Sequence, residues 1–186
     1  MKDYLDIVDK TGNTTGETVE RTFAHANGIW HRTSHVWLLR EKNGKVQILL
    51  QKRVMTKDSF PGCYDISSAG HIPAGDDYEI SALRELKEEL GIDAEADALI
   101  NCGNRIIIWD DNFNGEPYHD RQISRIFAMW TDLDEDDFTL QPEEVDSVMW
   151  MDFYACMDGV RLNTFNHCIV MEELEMVEKA VKQLQK

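Results

Sequence analysis

The chain has 186 residues, enough for one domain with small additions at either end, and its apolar content of 42% with five Trp supports a sizeable core. A net charge of −16 excludes a general surface for nucleic-acid polymers or anionic membranes, so an anionic small substrate must be met by local cations or a divalent metal. MKDYLDIVDK lacks the apolar core of a signal peptide, and no apolar run approaches transmembrane length. Cys63, Cys102, Cys156 and Cys168 show no CxxC spacing, which predicts reduced thiols in a cytoplasmic protein.

In chain order, a short strand around YLDIVD meets the turn KTGNTTG, where Gly and Asn supply backbone freedom. SHVWLLR and KVQILLQKR read as strands joined by EKNG, whose Asn-Gly pair signals a hairpin. SFPG breaks the chain before YDISSAGHI, a short strand entering a loop. A helix is predicted over 77–90, then RIIIWD and SRIFAMW as strands with the polar segment DNFNGEPYHD as a loop between them. The acidic run DLDEDDF reads as a solvated loop, SVMWMDF as a strand, and MEELEMVEKAVKQLQK as a closing amphipathic helix. Mixed strands around few helices predict a layered α/β sandwich in a single domain over 1–186, with an N-terminal hairpin extension over 1–30 and a C-terminal helix over 165–186. The helix stripe of Ile169, Leu174, Val177, Val181 and Leu184 suits either covering the domain or pairing with a second copy as a homodimer.

The densest chemistry lies in GHIPAGDDYEISALRELKEELGI, residues 70–92. Asp76 is the expected N-cap with Glu79 completing a capping box, and Gly91 the left-handed C-terminal residue. Ile80, Leu83, Leu86 and Leu90 fall on one side of the helix, and Glu85, Glu88 and Glu89 gather on an adjacent, exposed arc. Like charges packed this way repel, so helix stability gives no reason to choose them. A hard divalent cation would turn that repulsion into coordination. Arg84, one turn before Glu88, is placed to orient a carboxylate. For an arbitrary helix a solvated acidic face is the commoner reading, and the glutamates alone do not decide it.

The spacing across the stretch resembles the Nudix box, G-x5-E-x7-R-E-U-x-E-E-x-G-U, with U a bulky apolar residue. Gly70, Arg84, Glu85, Leu86, Glu88, Glu89, Gly91 and Ile92 match in register, and Asp76 stands where the family usually has Glu. The resemblance implies a mixed-sheet α/β/α sandwich with a loop-helix-loop metal site. It implies Mg²⁺ or Mn²⁺ held by Glu85, Glu88, Glu89 and the Gly70 carbonyl, and hydrolysis of a small-molecule diphosphate. Glu85 is the first candidate for the base that takes the water proton, with Glu116, Asp120, Glu143 and Glu144 as loop alternatives.

ILLQKRVMTKDSFPGCYDISSAGH and AHANGIWHRTSHVWLL are similar to the isopentenyl-diphosphate isomerase-like branch of that superfamily. This narrower likeness implies that Arg53 and Lys57 grip the diphosphate, with Arg21 a third grip. It also implies a second metal site at His25, His31, His71 and an acid near Asp120. The isomerases need a cysteine just before the GH pair and a glutamate in the strand before the FA pair, and here those positions are Ala69 and Gln122. The acid–base pair for allylic proton transfer is missing while the hydrolytic box is intact, so hydrolysis is the expected reaction. The alternatives are an isomerase and a catalytically silent binding module. Trp30, Trp109, Phe113 and Tyr118 are candidates to stack a base or line an apolar slot, and no motif names the organic part of the substrate.

Overall fold

The structure is a computed structural model that describes residues 3–57, 59–113 and 115–184. Strands β1 (Tyr4–Val8) and β2 (Thr14–Glu20) form a separate antiparallel pair, followed by the short helix α1 (Arg21–Asn27). The main mixed sheet holds β3 (His31–Lys42), β4 (Lys45–Arg53), β5 (Tyr64–Asp65), β6 (Ser68–His71), β7 (Ile100–Phe113), β8 (Glu116–Trp130) and β9 (Val145–Asp152). Helices α2 (Tyr78–Leu90), α3 (Phe153–Leu162) and α4 (Met171–Leu184) complete the chain. No described helix is long and apolar enough to cross a membrane.

β3 organises the sheet. Its first half pairs antiparallel with β6, its second half with β4, and its other edge runs parallel to β8 from His31↔Gln122 to Leu39↔Trp130. Asn43 and Gly44, both at positive φ, make the tight β3–β4 turn. The strand period of two then divides the core. Val36 and Leu38 join Leu86 and Leu90 of α2 on one face, while Trp37 and Leu39 join Cys156 of α3 and Leu174 and Val177 of α4 on the other. The result is an α/β/α sandwich. All four cysteines are free.

Several expectations are corrected. α2 begins at Tyr78, and Asp77, not Asp76, caps it by accepting from the Ile80 amide at 2.8 Å. The Asp76 backbone is held in the preceding loop by Pro73 and Arg32, and Glu79 completes no box. Ile80 is exposed, because the buried arc runs through Tyr78, Ala82, Leu86 and Glu89, and Ile80 lies about 160° round the axis from Tyr78. The segment DNFNGEPYHD is not an open loop: β7 and β8 stay paired out to Phe113↔Glu116, forming one long hairpin. Helices α1 and α3 were not expected. In the C-terminal segment the helix itself starts only at Met171, and its Leu174, Val177 and Val181 pack on the sheet of their own chain. The Leu184 side chain lies outside the described residues.

Candidate active site

α2 presents two of its glutamates to β6 rather than to solvent. A Cβ at Gly70 would overlap the Glu85 carboxylate, so glycine leaves the room in which that carboxylate sits against β6. Glu89 is 6% exposed, which corrects the expectation of an exposed arc. Its carboxylate accepts from the Ala69 amide at 3.4 Å and makes no ion pair among the described residues. Burial pushes its carboxyl up to about 8, and the neighbouring Glu85 and Glu144 add to the rise. Burial also raises Glu85, and the Arg84 guanidinium, at 2.8 Å from Glu85 Oε1, opposes that rise. Arg84 also donates to Glu88 Oε2 at 3.0 Å and to the His71 carbonyl, tying the half-exposed Glu88 to the same cradle.

Around the rim of the sheet lies a second cluster. His25 from α1, His31 from β3 and His71 from β6 bring one ring nitrogen each to within 4.8 Å of one another. His31 Nδ1 donates to the Ile29 carbonyl at 2.9 Å, which leaves Nε2 as the lone-pair nitrogen. That Nε2 is buried without a partner and faces Asp120 Oδ1 at 3.8 Å, itself buried without a partner. Burial lowers His25 to about 3 and His31 to about 4, pushes His71 well down, and raises Asp120 to about 6. Imidazole nitrogens converge here on a carboxylate, with His25 Nε2 and His71 Nε2 3.2 Å apart, and once both turn a lone pair inward they form a donor set that fits a divalent cation. Glu85, Glu88 and Glu89 of the first cluster and His71 and Asp120 of the second line one cleft of about 860 Å³.

The NUDIX domain family model matches residues 30–161. The chain belongs to the Nudix family. It is 38% identical over 144 residues to an uncharacterized Nudix hydrolase of Clostridium acetobutylicum, covering 77% of this chain and 67% of that protein. It is 37% identical over 159 residues to Nudix hydrolase 3 of Arabidopsis thaliana, covering 82% of this chain but 19% of that much longer protein. An isopentenyl-diphosphate Delta-isomerase of Aliivibrio fischeri is 28% identical over 151 residues, covering 81% of this chain and 80% of the isomerase. In fold, the chain superimposes on the crystal structure of DR0079 from Deinococcus radiodurans with a TM-score of 0.65 at 18% identity, covering 95% of this chain and 98% of that one. Family membership places the chain among hydrolases of diphosphate bonds that generally use divalent cations.

The cations of this Nudix cleft are more tied down than the sequence implies. Arg53 donates to Asp65 Oδ2 and to the Ser59 carbonyl, both at 3.1 Å, and to Ser59 Oγ at 3.2 Å. Lys57 is paired with Glu144. Arg21, exposed at the start of α1, lines the cleft with both, and its charge acts on His71, Glu85 and Asp120. Of the four alternative bases, Asp120 and Glu144 line the cleft, while Glu116 sits at the hairpin tip and Glu143 is exposed outside it. Asp120 lies on β8, not on a loop.

Among the aromatics, Trp109 and Tyr118 line the cleft and Trp30 does not; the Phe113 side chain lies outside the described residues. Tyr118 stacks on His25 with centroids 4.5 Å apart, and Trp109 packs against Phe60 at 5.4 Å. Phe60 was missed because the turn SFPG reads as a chain breaker. Also missed were His35, Arg105 and Glu173, which line the cleft from β3, β7 and α4. Ala69 stands directly opposite His35 in the β3–β6 register, and Gln122 Oε1 accepts from Thr33 Oγ1 at 3.1 Å.

Proposed function

We propose that the protein is a Mg²⁺- or Mn²⁺-dependent hydrolase that cleaves the diphosphate linkage of a nucleotide or another small organic diphosphate. The observation that carries this reading is Glu89: a buried carboxylate with no cationic partner among the described residues, beside Glu85 and Glu88 in an intact box. Burying such a group without compensation costs several kcal/mol on the order-of-magnitude scale for ions, and a divalent cation supplies the compensation.

In this reading Glu85, Glu88, Glu89 and the Gly70 carbonyl hold the metal. When bound, divalent ions neutralise phosphate charge and lower the pKa of a coordinated water. Glu85 takes the proton of the attacking water, whose oxygen forms a new bond to phosphorus while the bridging P–O bond breaks and its electron pair leaves with the second phosphate product. Arg84 fixes the Glu85 and Glu88 carboxylates in the cradle. Arg21, Arg53 and Lys57 meet phosphate oxygens, Lys57 by releasing Glu144. His25, His31, His71 and Asp120 would hold a further divalent ion beside the first, His71 following Gly70 on β6. Trp109, Tyr118 and Phe60 offer flat apolar surface to the organic part. Four free thiols in the described chain favour a cytoplasmic setting. Ala69 and Gln122 weigh against isomerisation, since neither ionises at neutral pH.

The direct check is turnover by purified protein with Mg²⁺ against nucleoside di- and triphosphates, dinucleotides, sugar nucleotides and prenyl diphosphates. Metal-dependent phosphate products from one class support the reading. A protein that binds members of the panel without cleaving any of them would be a silent module, and the hydrolase reading would fall.

A further inference from the structure

On the side of the cleft away from the Nudix helix lies a buried ionic network that the hydrolytic reading does not use. Glu173, in the first turn of α4, has a side chain only 1% exposed. It accepts from His35 Nδ1 at 3.1 and 3.2 Å, from Trp37 Nε1 at 3.2 Å and from Arg105 at 2.9 Å. Arg105 is held a second time by Glu172 at 3.0 Å. Burial alone would raise the Glu173 carboxyl, but His35 and Arg105 outweigh it and the net shift is downward. The carboxylate is therefore ionised and can only accept hydrogen bonds.

That fixes the histidine. With Nδ1 donating to Glu173, Nε2 is the ring's other hydrogen-bonding atom, and it has no hydrogen bond among the described residues. His35 lines the cleft, and with Nδ1 turned to Glu173 its Nε2 is the ring nitrogen left to a ligand. Beside it, Thr33, Gln122 and Arg105 line the same region with polar groups. Those three are already hydrogen-bonded within the protein, so an unsubstituted hydrocarbon placed here would leave His35 Nε2 desolvated and unpaired, whereas a hydroxyl-bearing ligand would satisfy it.

We propose that His35 contacts the substrate, its Nε2 hydrogen-bonding a hydroxyl on the organic part of the diphosphate, and that Glu173 is the positioning residue that fixes the direction of the ring. This rests on the diphosphate reading above and adds a residue pair to it. His35 is a different group from the metal-binding histidines: it pairs with Ala69 in register, and its ring is held from α4 rather than by Asp120.

The test uses ¹⁵N-labelled full-length protein with Mg²⁺ and two non-hydrolysable probes, methylenediphosphonate and α,β-methylene-ADP. The first has no organic part; the second carries hydroxyls and an amine. Imidazole ¹H–¹⁵N spectra should show the His35 Nδ1 proton held in its hydrogen bond to Glu173. Its Nε2 signal should move with the nucleotide probe and stay with methylenediphosphonate. His35→Gln should weaken the nucleotide probe about tenfold and leave methylenediphosphonate unchanged, the scale of one lost hydrogen bond. Glu173→Gln should shift the His35 ring signals and weaken the nucleotide probe alone. Should that variant fail to give a cooperative melt, the His35→Gln comparison decides by itself. A nucleotide probe that binds no better than methylenediphosphonate, or binds His35→Gln as tightly as the wild type, overturns the proposal. If neither probe binds, the diphosphate reading itself fails and this proposal with it.

Discussion

His31 Nε2 and Asp120 Oδ1 face one another at 3.8 Å, both buried and both without a hydrogen-bond partner. With the His31 proton committed to the Ile29 carbonyl, the pair is a lone pair opposite a carboxylate. Nothing in the fold alone favours that arrangement, since each atom forfeits its hydration. A cation between them would resolve it.

The first prediction follows. Mn²⁺ titrated calorimetrically should bind at two classes of site, and Asp120→Asn should weaken one of them by about ten- to a hundredfold, the range for losing a single ligand or its support. The variant should melt at or above the wild-type temperature without metal, because it removes a buried unpaired charge. Identical metal titrations of variant and wild type would remove the second site.

Glu89→Gln tests the first site. Turnover should fall at least about a hundredfold at saturating Mg²⁺, because one coordinating charge is lost. Glu89 is buried against β6, so the amide should also spare the metal-free fold the cost of a buried carboxylate. A higher melting temperature without metal together with lost activity is the expected signature. Wild-type turnover in this variant would contradict the cradle.

The box could be read because its carboxylates, glycines and apolar positions recur at fixed spacing within one helix and its flanks. The burial of Glu89 could not, because its neighbour is the backbone of β6 and not a side chain on its own helix. The β7–β8 hairpin was hidden for a related reason: Asp110, Asp111 and Asn112 sit on an exposed part of the sheet edge, so polar strand residues imitate a loop. The pairing of His35 with Glu173 joins residues 138 apart, beyond any local pattern.

Glu173 also predicts an acid limb in stability. Its folded-state pKa is lowered by His35 and Arg105 against the effect of burial. A depressed carboxyl contributes stability that is present above its unfolded value of about 4.3 and lost as the pH falls through the folded value. Melting temperature followed downward from pH 7 should therefore fall more steeply below about pH 4.3 in the wild type than in Glu173→Gln. Parallel curves would mean that the network contributes nothing to folding.

Ala69 and Gln122 predict that isopentenyl diphosphate is not isomerised. In deuterated water with Mg²⁺ and flavin, the protein should introduce no deuterium at the allylic carbon. The groups best placed to overturn this are His35, opposite Ala69, and Cys63, a buried thiol whose Sγ contacts Asn166 Oδ1 at 3.3 Å. Deuterium incorporation that disappears in His35→Gln would reassign the reaction to proton transfer at carbon.

The most direct measurement of the central claim is ¹⁸O incorporation. The best-cleaved member of the diphosphate panel is incubated with the protein and Mg²⁺ in H₂¹⁸O, and the products are read by ³¹P NMR. Attack of water on phosphorus predicts one ¹⁸O in one of the two phosphate products per turnover, dependent on Mg²⁺ and lost in Glu89→Gln. Products without ¹⁸O on phosphorus, or labelling that persists in Glu89→Gln, would contradict hydrolysis at this cradle.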